Sequence, residues 1–221
     1  MSRTQKELKA LRQLQREEAA ARQRARDRRN LYIIGGILGT AAVAILIVAL
    51  ALSHAAQVST QNRLPFHAVT EAVGREIPDE GAATHVDPST TPTYKFYPPT
   101  SGPHYSLQGS APVPWQTIDN LVEGQLVHNL EHGGIAILYN CPSGNDCTTL
   151  KNELENYVKN LAPVEPTFGE VKVVMTPYSR GMEKKVALVA WHYVDFLDGY
   201  DQNEITRFYE SHVDQGPEKI A

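Results

Sequence analysis

The chain reads as an α+β domain, a small mixed and partly antiparallel sheet with two covering helices, preceded by one transmembrane helix. Three observations carry this reading. An uncharged apolar run extends from Leu31 to Leu52, two stripes of apolar residues recur at helical spacing, and short runs rich in strand formers lie around them.

The first stretch is set apart by charge. Residues 2–30 hold ten Lys/Arg against four Asp/Glu, a balance of +6, and the remainder holds eleven against twenty-one, a balance of −10. A split of this kind points to two compartments or two partners. The acidic remainder excludes nucleic acid as a partner, since phosphate contacts need Lys and Arg. The run Leu31–Leu52 has the length of about 20 residues that a helix needs to cross a bilayer. The basic run before it predicts a cytoplasmic N-terminus and an extracytoplasmic main domain in a single-pass cell-membrane protein. The basic tail would then also touch anionic lipids. A cleaved signal peptide fits less well, because its apolar region is normally about 7–15 residues behind a short basic start. The expected organisation is a basic tail over 1–30, a span over 31–52, a linker over 53–84 and a domain over 85–221.

Within the domain, seven of the 14 prolines fall between Pro88 and Pro114, interleaved with Tyr94, Phe96, Tyr97, Tyr105 and Trp115. Proline fixes φ and removes a donor, so this stretch predicts an ordered loop packed by its rings rather than a strand or helix. Gly134 to Tyr139 predicts a strand. Leu150, Leu154, Tyr157, Val158 and Leu161 predict a helix ended by Ala162-Pro163. Val171 to Thr176 and Val186 to Phe196 predict two strands joined as a hairpin, with His192 packed in the second. Asp201 and Glu204 form a capping box for a last helix through Ile205, Phe208, Tyr209, His212 and Val213. The resulting order, strand, helix, strand, strand, helix, also occurs in the core of thioredoxin-like folds. Cys141 and Cys147 enclose a short Pro- and Gly-containing loop, which predicts a structural disulfide.

The segment with most chemistry is His128-Asn-Leu-Glu131-His132-Gly-Gly. On a helix, histidines four apart lie about 5–6 Å from each other at Cβ and can share a metal. On a strand they lie roughly 13 Å apart. The inverted zinc-peptidase pattern HxxEH needs a long helix, but Gly133 and Gly134 end one at once and Gly124 interrupts the residues before. A metal site remains open if the chain turns at Leu130–Glu131 or only one histidine is a ligand. His104 is the natural third contributor and His85 the fourth, with Glu131 as ligand, orienting group or base. Imidazole and carboxylate suit a zinc or copper(II) ion. The competing structural reading makes His128 and His132 strand residues bonded to the main chain.

The strings PPTSGPHY, LVHNLEHGGIAILYNC, VALVAWHY and QGPE together resemble a family of prokaryotic membrane-anchored proteins, domain of unknown function 3105. The resemblance extends from about His85 to Glu218 and brings no established reaction. It implies a common site built from the loop Pro98, Pro99, Thr100, Ser101, Gly102 and His104 and the segment His128 to Gly133. It also marks Tyr139, Trp191, Pro217 and Glu218. The family pattern more often has glycine after Trp191, where this chain has His192. The functional expectation is a membrane-anchored metal-binding domain. A metal-assisted hydrolase or thiol oxidoreductase and a non-catalytic partner of another envelope protein are the alternatives.

Overall fold

A computed structural model describes residues 22–24, 26, 29–30, 34, 38–50, 62–118, 120–141 and 144–220. The chain divides into two units, Met1–Val58 and Ser59–Ala221. In the first unit residues 38–50 are helical. Residues 31–33, 35–37 and 51–52 of the expected span lie outside the described residues, as does most of the basic stretch 1–30. Among the described residues no helix is long and apolar enough to cross a membrane. This corrects the expected transmembrane helix and what rested on it: the single-pass anchor, the cell-membrane address with its two-sided topology, and the lipid partner.

The second unit is built on a five-stranded sheet. Its strands are β1 (Arg75–Glu76), β4 (Ile135–Tyr139), β5 (Val173–Pro177), β6 (Val186–Ala190) and β7 (Tyr193–Leu197), in the order β1-β7-β6-β4-β5. A separate parallel pair is formed by β2 (His85–Val86) and β3 (His104–Tyr105). Three α-helices are described in this unit: α1 (Glu123–Glu131), α2 (Asn145–Asn156) and α3 (Gln202–His212). The α+β class with a mixed sheet is seen. α2 and α3 are the two expected helices, and α1 is additional.

β4 is the centre of the sheet. It runs parallel to β5, with Ile135 opposite Val173, and antiparallel to β6, with Ile137 opposite Leu188. The parallel pair needs a crossover, which α2 and the π-helical turn Tyr157–Leu161 supply. The expected hairpin between the second and third strands is corrected, since β5 and β6 lie on opposite sides of β4. The run Val186–Phe196 is not one strand either. It breaks at Trp191–His192 into β6 and β7, and His192 has φ +65, the left-handed turn conformation that glycine adopts most easily. His192 is therefore a half-buried turn residue rather than a packed strand residue. The stretch read as linker contributes β1, paired with β7, and places Val73 and Ile77 in the core.

Alternation along β4 sorts two apolar layers. Ile135 and Ile137 pack with Leu154, Tyr157, Phe208 and Tyr209 of the α2–α3 side. Ala136 and Leu138 pack with Leu126 and Leu130 of α1. Burial on both faces explains why β4 reads as a continuous apolar run. Asp201 caps α3, accepting from the main-chain N–H groups of Asn203 and Glu204 at 3.0 and 3.1 Å.

Candidate metal centre

α1 is the element that sets the histidines, and it forms without the usual signals. Its cap position is Val122, which has no side-chain acceptor, and the Gln125 side chain accepts instead from the Val122 N–H at 3.3 Å. Gly124 does not interrupt the helix, because the Tyr105 ring packs where its side chain would be. The helix stops where the two glycines predicted: His132 is the C-cap, and Gly133 follows with φ +76, a left-handed cap against Asp214. His128 and Glu131 thus lie on a helix, which corrects the reading of His128 and His132 as strand residues. The helix is too short and too abruptly ended for the peptidase pattern.

Asn129 ties this helix to the proline-rich stretch. Its side-chain amide donates to the Val113 carbonyl at 2.8 Å and its oxygen accepts from the Val113 N–H at 2.9 Å. Pro98, Pro99, Thr100, Ser101 and Gly102 are all buried and act as framework. The Ser101 hydroxyl accepts from Glu80 N–H at 3.1 Å, and the Thr100 carbonyl from His192 N–H at 3.2 Å. Gly102 has φ +103, a turn that aims its carbonyl at Nδ1 of His104, 2.9 Å away.

His85 and His104 are register partners in the parallel pair β2–β3, with ring centroids 4.9 Å apart. The His128 ring lies 5.1 Å from His85 and 5.0 Å from His104. Its Nδ1 bonds to the carbonyl of Tyr105, the residue after His104. One ligand atom from each of His85, His104, His128 and Glu131 can be chosen so that all lie within 4.8 Å of one another. These clusters of His and Glu could coordinate a metal ion. His104, His128 and Glu131 are buried and His85 is exposed, so the group opens to solvent on the His85 side.

Tautomers follow from the partners. A carbonyl oxygen only accepts, so Nδ1 carries the proton in His104 and His128, and Nε2 of each is left with a lone pair. Nε2 of His104 faces Oε2 of Glu131 at 2.9 Å, and both atoms are buried without a hydrogen-bond partner. Two lone pairs at this distance repel unless a proton or a cation lies between them. Burial is the main cause lowering the pKa of both histidines and raising that of Glu131. Neutral imidazoles at neutral pH are the form that binds metal.

His132 does not join this group. Its ring is 4.5 Å from that of His128, but Nε2 points to Glu218, 3.3 Å away, and Glu131, His132 and Glu218 form a second group within 4.8 Å. Burial, with a smaller contribution from His128, lowers its pKa to about 4. Glu218 was visible in the QGPE string but carried no role there. Lys172 belongs to the same region without any motif to mark it. Its fully buried ammonium donates to the carbonyls of His132 and Ile220 at 3.3 and 2.7 Å and pairs with Asp214 at 2.8 Å. A lysine inside a strand run gives no sign of such partners in the sequence.

Cys141 and Cys147 are joined in a disulfide with Cα atoms 5.4 Å apart. They line a cavity of about 340 Å³ with Asp146, Glu153, Lys185 and Tyr200, and none of the site histidines borders it.

A family model described as protein of unknown function (DUF3105) matches residues 85–221. No curated protein and no solved structure matches the chain.

Proposed function

The chain belongs to that family, and from this premise we propose that the domain binds a transition metal, one zinc or copper(II) ion held through His85, His104 and His128 with Glu131. The observation that carries the reading is the buried contact between Nε2 of His104 and Oε2 of Glu131, where no hydrogen bond offsets the meeting of two acceptors. A cation there would supply the positive charge that both atoms lack. Support also comes from the carbonyls of Gly102 and Tyr105 behind the rings. Metal-bound imidazoles usually donate their far N–H to a carbonyl or carboxylate, which fixes ring and tautomer. Three imidazoles and one carboxylate suit zinc or copper(II), and with only three methionines in the chain nothing suggests a thioether copper(I) site.

The competing account puts a proton between Glu131 and His104, and the two are separable by metal loading. The full chain is stripped with chelator, loaded with zinc or copper(II), desalted and assayed by elemental analysis and thermal melting. The reading expects at least one bound equivalent and a raised melting temperature, since free ion at 100 times Kd adds about 2.7 kcal/mol. Metal retained at less than about a tenth of an equivalent, with unchanged melting, overturns it.

A further inference from the structure

We propose that the histidine cluster adjoins a second cation position, formed by Glu131, His132 and Glu218, with the Glu131 carboxylate shared between the two. The proposal rests on the reading of the first position given above. Ligand atoms of these three residues lie within 4.8 Å of one another, and Glu131 is the residue common to both groups. Glu131 and His132 are buried, and Glu131 Oε2, the oxygen that also faces His104, has no hydrogen-bond partner. The contact between Nε2 of His132 and Glu218 is 3.3 Å, longer than the about 2.7–2.9 Å of a good charge-assisted hydrogen bond.

The placement of Glu218 is built into the fold. Its N–H donates to the Glu131 carbonyl at 3.1 Å, and Gly216 sits so close to that carbonyl that a Cβ would lie 2.2 Å from it. Lys172 fastens the same segment from inside through Ile220 and Asp214, and Asp214 at 2.8 Å balances its charge. One imidazole and two carboxylates form a harder donor set than the first position, suited to divalent zinc, manganese or iron. A carboxylate between two cations holds them as a pair, as in two-metal sites with ions about 3.5–4 Å apart. The first position is backed by the proline loop and opens at the exposed His85, and the second opens beside the Glu218 side chain, which is 49% exposed. With three protein ligands against four, the second position is the weaker of the two.

The test is zinc stoichiometry of the full chain, by calorimetric titration and elemental analysis, beside Glu218→Gln and His132→Ala. Two equivalents in the wild type, the second weaker, and one in each variant with the first affinity unchanged, is the expected result. Saturation of the wild type at one equivalent, with the same value in Glu218→Gln, overturns the second position and leaves the first. No bound zinc or copper(II) in any form overturns the first reading instead. Wild-type stoichiometry decides the matter even if a variant fails to fold, and Glu218→Asp, which keeps the carboxylate, is expected to restore the second equivalent.

Discussion

His212 at the end of α3 and His104 in β3 begin from the same chemistry and end differently. Both are buried, and each has one ring nitrogen on a main-chain carbonyl, Val73 for His212 at 2.7 Å and Gly102 for His104 at 2.9 Å. His212 then stacks on Tyr193 at 4.4 Å and leans on Phe208 at 4.6 Å, so its surroundings are rings. His104 instead turns its second nitrogen to a carboxylate and lies beside two more imidazoles. A carbonyl partner is therefore common to packing and to metal binding. What separates them is the company of the other nitrogen.

The largest effect that would break this comparison is exchange of roles. His104→Ala is expected to lower metal affinity by at least about a hundredfold, following the loss of one of a few ligands. His212→Gln should leave affinity unchanged in a chelator competition, while lowering stability by about 1–3 kcal/mol through lost packing and hydrogen bonding. Equal losses of affinity in the two variants would mean that the whole domain, rather than the ring cluster, controls binding. A smaller effect is expected from Gly102→Ala. A Cβ at φ +103 is strained and would meet Glu80 at 3.0 Å, so the carbonyl behind His104 shifts and affinity falls by roughly tenfold to a hundredfold.

The smallest effect concerns acid. Burial depresses the His212 pKa below its ordinary value, so in the unfolded chain this ring takes up a proton first as pH falls. Stability from this group is present above about pH 6.5 and is lost as pH falls through that value towards the folded pKa. Denaturant melts of the metal-stripped protein between about pH 7.5 and 5 should show a shallower decline for His212→Gln than for the wild type. An unchanged slope would show that groups other than His212 set the acid sensitivity.

Legibility differed between the same two faces. The α2–α3 side follows textual rules: Leu150 to Leu161 keeps helical spacing, Asp201 caps, and β4 is a plain apolar run. On the site side those rules conflict. α1 lacks a capping side chain at Val122 and carries Gly124, and its short length leaves little period to read. The left-handed turn at His192 hides the boundary between β6 and β7, since histidine gives no turn signal where a glycine would. Residues His85, His104, His128 and Glu131 were nameable as candidates from their type and motif. Their spacing was not, because it depends on the β2–β3 pairing and on Asn129 holding Val113, contacts between distant stretches. The pairing of His132 with Glu218 lay beyond reach for the same reason.

The pairing of β2 with β3 has one more consequence. Only two residues from each strand take part, so the proline-rich chain from His85 to His104 has little ladder to close it. An ion gripping His85, His104 and His128 would serve as a staple, restricting how far that stretch can wander once unfolded. Limited proteolysis with and without added zinc would then reveal the cation as part of what keeps this loop shut.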